Sequence, residues 1–144
     1  MLNIEAVNHV GIRIGERLRS VHFYELLGFS QTLDAGFDEG HPIIMIHPSG
    51  VVINLLGPAD DCGGKNILMD MADKYPGYTH VALTVGSLDI AREFLDANDI
   101  AITGSFTFGK MSAIFIRDPD GNVIELDAYG DDESNDAGGY TGHE

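Results

Sequence analysis

Arg117-Asp118-Pro119-Asp120-Gly121-Asn122-Val123-Ile124-Glu125-Leu126 reads as a tight turn that feeds a strand. Pro119 and Gly121 suit the turn backbone, and the β-branched Val123 and Ile124 open an extended run. Glu125 stands in that run between two aliphatic neighbours, where burying a carboxylate is costly unless something pairs with it. What pairs with Glu125 is the question the rest of the chain has to answer.

The stretch has a twin. A shift of 71 positions takes Pro48 to Pro119, Gly50 to Gly121, Ile53 to Ile124 and Leu55 to Leu126. The same shift takes His9 to His80, Val10 to Val81, Phe23 to Phe94, Phe37 to Phe108 and Ile43 to Ile114, without an insertion. Self-similarity at one fixed offset is the mark of a duplicated module.

Each copy reads as β-α-β-β-β. In the first, residues 4–14 alternate as a strand, with Val10, Ile12 and Ile14 on one face and Val7, His9, Gly11 and Arg13 on the other. Residues 16–27 have helical spacing, and Gly28 stands where a C-terminal cap belongs. Residues 29–33, 42–47 and 51–56 are strand candidates between glycine-containing turns. The second copy repeats this with a strand at 78–85, Ser87 capping a helix over 88–97, and strands at 100–106, 111–117 and 122–129. The expected fold is α+β: one domain over residues 1–130, with modules at 4–56 and 78–129 and a linker at 57–77. Within the linker, residues 66–73 are expected to be briefly helical. Residues 131–144 are acidic, glycine-rich and without periodicity, and are expected to form a flexible tail.

Composition narrows the function. A chain of 144 residues with 44% hydrophobic and 22% charged residues can bury a core. The formal charge of −15, from 23 acids against 8 Lys and Arg, repels phosphate backbones and argues against nucleic-acid binding. No run approaches the ~18 apolar residues of a membrane span. Met1 to Glu5 lacks the basic start and apolar stretch of a secretory signal, so a cytoplasmic protein is expected. Cys62 is the single cysteine, which excludes an internal disulfide, and no base stands near it in the sequence to activate it.

Under the 71-residue shift the two histidines coincide, and Glu125 falls on Asn54. In both first strands the histidine lies opposite the aliphatic stripe, as Glu125 and Asn54 do in the last strands. If helices cover the aliphatic faces, His9, His80 and Glu125 point to the other side. Two imidazoles and a carboxylate form a facial ligand set that leaves positions open for water or substrate. A divalent ion would supply the charge that Glu125 lacks; Fe, Mn, Ni and Zn all suit such donors. Asn54 can coordinate weakly through its carbonyl or line a pocket, but an amide is no base at neutral pH. Arg13, Lys110, Met111 and Phe115 are candidate substrate-pocket residues. Arg117, His41 and His47 are weaker ones, and His22 and His143 are incidental.

Asn8-His9-Val10-Gly11-Ile12, Thr79-His80-Val81-Ala82-Leu83, Phe23-Tyr24-Glu25-Leu26-Leu27-Gly28-Phe29 and Asp118-Pro119-Asp120-Gly121-Asn122-Val123-Ile124-Glu125-Leu126 carry a resemblance. Over residues 4–129 the chain resembles the vicinal oxygen chelate superfamily, which includes glyoxalase I, extradiol dioxygenases and bleomycin-binding proteins. The resemblance implies two βαβββ modules forming a shared cleft, with metal ligands at positions matching His9, Asn54, His80 and Glu125. Glyoxalase I has a Glu where this chain has Asn54. The expected function is a metal-dependent lyase or isomerase, similar to lactoylglutathione lyase, acting on a small oxygenated substrate. Dioxygenation, and sequestration of a small cationic ligand as in bleomycin resistance, are the alternatives. A homodimer is the expected assembly.

Overall fold

The computed structural model describes residues 1–130; the expected tail lies outside them. The chain forms two compact units, residues 1–64 and a second that begins at Lys65.

The first unit contains β1 (Val10–Arg13), α1 (Arg17–Leu26), β2 (Ser30–Asp34), a 3₁₀ turn (Phe37–Glu39), β3 (Ile43–Ile46) and β4 (Val52–Leu56). Its strands lie in the order β1-β4-β3-β2, with β1 parallel to β4 and the other pairs antiparallel. Ile14, Ile43, Met45, Ile53 and Leu55 are fully buried, and Val21, Phe23 and Tyr24 of α1 and Phe37 of the 3₁₀ turn join them in the core.

The second unit contains β5 (His80–Thr84), α2 (Leu88–Ala97), β6 (Ile102–Phe108), β7 (Met111–Arg117) and β8 (Val123–Tyr129). Their order, β5-β8-β7-β6, repeats the first sheet. Leu95 of α2 is buried together with Ile114, Ile116, Ile124 and Leu126, which occupy one face of β7 and β8.

The duplication extends to irregular features. Register shifts interrupt β2–β3 between Gln31 and Leu33, and β6–β7 between Ile102 and Gly104, both at the offset of 71. Gly50 and Gly121 hold φ values of 95° and 85° in the two matching turns. Both helices close in the same way. Gly28 (φ 97°) donates to Glu25 O and Phe29 N donates to Tyr24 O, while Asp99 (φ 55°) and Ile100 make the matching bonds to Asp96 and Leu95. These are Schellman closures, and Tyr24 and Phe29 add the accompanying apolar contact at 6.0 Å between ring centroids.

Three sequence expectations need correction. The first strand begins at Val10 and not at residue 4; Leu2, Ile4 and Val7 lie exposed, outside any strand. Residues 66–73 form turns and no helix. There Asn66 Oδ1 accepts from Leu68 N and Met69 N, and Asp70 accepts from Asn66 N. Asn66 therefore caps a single turn, closed by Asp70 N donating to Asn66 O at 2.8 Å, that does not propagate into a helix. The 3₁₀ turn was not expected from the sequence; Gly36 and Gly40, both at positive φ, flank it and make it possible.

Candidate metal centre

Glu125 meets His80. The parallel pairing of β5 and β8 sets His80 beside Val123 and Ala82 beside Glu125, which puts His80 and Glu125 on one face of the sheet. His80 Nε2 lies 2.9 Å from Glu125 Oε2, and the Glu125 side chain is 12% exposed. On its other flank Glu125 pairs with Phe115, whose ring stands edge-on to the imidazole with centroids 5.9 Å apart. The aromatic neighbour narrows the positions open to the ring, and the carboxylate occupies one side of it.

Each candidate histidine also has a contact that the sequence reading passed over. His9 Nδ1 lies 2.6 Å from Asn8 Oδ1, and His80 Nδ1 lies 2.9 Å from Thr79 Oγ1. Asn8 and Thr79 correspond under the shift of 71, so the offset was the signal that could have found them. An amide oxygen only accepts, so Asn8 requires the proton on Nδ1 of neutral His9 and leaves the lone pair on Nε2. A hydroxyl donates or accepts, so Thr79 is compatible with either tautomer of His80. Nε2 of His80 can thus donate to Glu125 or present its lone pair to an ion.

The donors fit a divalent ion. Two ligands at right angles, each about 2.0–2.1 Å from a metal, stand about 2.9 Å apart. That is the separation of His80 Nε2 and Glu125 Oε2. Imidazole and carboxylate together suit first-row transition ions. Among the described residues no group of three His, Cys, Asp or Glu side chains is gathered around one point. His9 is an exposed residue of the first unit, just before β1.

The remaining candidates occupy varied surroundings. Asn54 lies in β4 between Gly11 and Ile44, and its Oδ1 is buried without a hydrogen-bond partner among the described residues. Arg13 ends β1 and is exposed. Phe115 is buried, Met111 is half-buried at the start of β7, and Lys110 is exposed in the turn between β6 and β7. Arg117 is engaged elsewhere: its guanidinium makes two 2.9 Å bonds to the carboxylate of Asp70 and a third to Gly121 O. His22 and His41 are exposed, and His143 lies outside the described residues.

His47 is a turn residue. Its Nδ1 accepts from Ser49 N at 3.0 Å, just as Asp118 Oδ1, its counterpart, accepts from Asp120 N at 2.9 Å. Asp118, which is buried, also accepts from Asn122 N and Asn122 Nδ2. The Asp118 carboxylate therefore serves its own turn, and Glu125 is the acid of the quoted stretch that shares a sheet face with His80.

A family model described as Glyoxalase/Bleomycin resistance protein/Dioxygenase superfamily matches residues 6–126. The chain belongs to this superfamily. Solved structures share the architecture. A glyoxalase/dioxygenase from Nostoc punctiforme is 21% identical with a TM-score of 0.68, the match covering 90% of this chain and 94% of that one. A glyoxylase/bleomycin resistance protein/dioxygenase domain from Frankia sp. EAN1pec is 21% identical with a TM-score of 0.71, covering 92% and 98%. A glyoxalase family protein from Enterococcus faecalis is 21% identical with a TM-score of 0.67, covering 85% and 97%. At these identities the likeness is one of fold. No curated protein matches the chain. Among the described residues no helix is long and apolar enough to cross a membrane.

Proposed function

We propose that this superfamily member is a metal-dependent enzyme acting on a small oxygenated substrate. Its divalent ion is held by His80 and Glu125 of the second unit. The observation that carries the proposal is the approach of His80 Nε2 to Glu125 Oε2, at the separation of neighbouring ligands on one ion. The contact of Thr79 to Nδ1 of His80 supports it, since ligating histidines are held in this way through the second ring nitrogen.

A bound divalent ion would polarise substrate oxygens and stabilise negative charge as it develops. Lyase or isomerase chemistry, which passes through an enolate or oxyanion, is the first reading, and dioxygenation the second. The residues of this chain set limits on how a proton moves. Asn54 cannot act as a carboxylate base. A proton shuttle has to come from another side chain or from water. Phe115 packs edge-on against His80 and restrains the ring.

Sequestration of a cationic small molecule is the competing reading, favoured by the charge of −15. Metal analysis separates the two. Protein purified without an affinity tag and reconstituted with Fe(II), Mn(II), Ni(II) or Zn(II) is expected to hold close to one equivalent of ion, and Glu125→Gln and His80→Ala to lose most of it. Less than a tenth of an equivalent in the parent protein, or unchanged occupancy in either variant, sinks the metal-enzyme reading.

A further inference from the structure

The carboxylate two places beyond Glu125 has no part in the centre described above. Side chains alternate along β8, so Asp127 shares the face of Glu125 and stands about 7 Å farther along the strand. The parallel register sets Ala82 beside Glu125 and Thr84 beside Asp127, which makes His80, Ala82 and Thr84 the neighbouring row on that face. Thr84 Oγ1 donates to Asp127 Oδ1 at 2.6 Å. Among the described residues no cation pairs with Asp127, and its Oδ2 takes no hydrogen bond. A carboxylate on a residue that is 8% exposed needs more than one neutral hydroxyl to offset its lost hydration. Holding β5 to β8 does not require it, because the backbone ladder from His80 to Thr84 already does so.

The row beside the two acids is open. His80, Ala82 and Thr84 are exposed, and Val81 and Leu83 between them are half-buried. The side chains of His80 and Glu125 are 25% and 12% exposed, and Asp127 Oδ2 is not sealed from solvent. Ala82 is the smallest side chain of the row and lies between the imidazole on one side and the Thr84 hydroxyl on the other. A small molecule resting on Ala82 therefore meets the His80–Glu125 pair at one end and Asp127 at the other.

We propose that the substrate of this centre is a small oxygenated amine, whose ammonium group Asp127 binds while its oxygens coordinate the ion. Ala82 leaves the room, Thr84 fixes one carboxylate oxygen, and the other is left to the ammonium as a charge-assisted acceptor. The chain's charge of −15 favours the approach of such a cation. The inference rests on the metal-centre reading and adds to it the class of substrate. Asp127 is assigned binding alone.

The test compares two hydroxamic acids of equal length on full-length protein loaded with one equivalent of Zn(II). Both coordinate metal through two oxygens; 4-aminobutanohydroxamic acid ends in an ammonium and pentanohydroxamic acid in a methyl. Calorimetry is expected to show the parent binding the ammonium probe about tenfold more tightly than the methyl probe. Asp127→Asn, which keeps an acceptor for Thr84, is expected to bind the two alike. Ala82→Leu, at an exposed position, is expected to hold zinc and to bind both probes about tenfold more weakly than the parent. Parent freed of metal is expected to lose most of its affinity for the ammonium probe. Zinc-loaded parent that treats the probes alike overturns the proposal, as does a preference that survives Asp127→Asn. Parent-like affinity for both probes in zinc-loaded Ala82→Leu overturns it without any change at Asp127. Undiminished binding of the ammonium probe to metal-free protein also overturns it, in favour of plain sequestration of a cation. A parent that holds no zinc overturns the metal-centre reading and this inference together, whereas the other outcomes leave that reading standing.

Discussion

At the scale of single residues, the candidate centre depends on which nitrogen of His80 carries the proton. Asn8 Oδ1 holds the His9 proton on Nδ1, and Thr79 Oγ1 accompanies His80 Nδ1 with a group that works in both directions. If the Thr79 contact orients a ligand, Thr79→Val should weaken metal binding by about 10–100-fold without unfolding the protein. Titration of the metal-free variant with Mn(II), followed by calorimetry, checks this; parent-like affinity would show the contact to be incidental. Much of this scale was legible in the sequence. An acid in an aliphatic strand needs a partner; the sequence named a divalent ion for that role, and the structure sets His80 itself 2.9 Å away. The roles of Asn8 and Thr79 were hidden because side-chain contacts to the preceding residue depend on ring rotation, which strand periodicity does not report.

At the scale of elements, the two helices end alike on unlike residues. Gly28 adopts positive φ readily, whereas Asp99 holds φ 55° with a Cβ in place. Replacing Asp99 with Gly should relieve about 1 kcal/mol of backbone strain, offset in part by the extra freedom of glycine in the unfolded chain, for a net gain of about 0.5 kcal/mol. The reverse change, Gly28→Ala, should cost about 1–2 kcal/mol, and a Cβ there would also stand 3.0 Å from His47 Nε2. Urea unfolding of both variants measures the difference.

The turns at residues 66–73 give a second prediction at this scale. The hydrogen-bonded Arg117 guanidinium beside Asp70, with help from Asn66 N, holds the Asp70 carboxyl down at about 2. A carboxylate whose folded pKa lies below its unfolded value of about 3.9 stabilises the fold above that value. The contribution is lost as pH falls from about 4 to about 2. Asp70→Asn should therefore destabilise the protein at neutral pH and flatten the acid limb of its stability profile, as read by melting temperature across pH 2–7. The pair is partly exposed, so the effect should shrink in high salt.

At the scale of the whole molecule, the superfamily match and the repeated sheet order make the duplication the organising fact of the fold. An ion that binds only the folded state stabilises it by mass action. Mn(II) at a hundred times its dissociation constant should raise the unfolding free energy by about 2.7 kcal/mol in the parent and not at all in Glu125→Gln. Thermal or urea unfolding with and without the ion measures it; equal shifts in the two proteins would locate the ion elsewhere on this acidic chain. The sequence by itself determined the two modules, their strand and helix types, the cap at Gly28 and the need of Glu125 for a partner. Each of these follows from local periodicity or from the cost of burying one group. The tertiary structure alone decided that Arg117 goes to Asp70, that His47 serves its own turn, and that Asp99 takes a glycine's conformation. It also decided that Asn54 Oδ1 is buried without a hydrogen-bond donor among the described residues. Such outcomes depend on which side chains register and packing bring within hydrogen-bond reach, and spacing along the chain does not contain that distance.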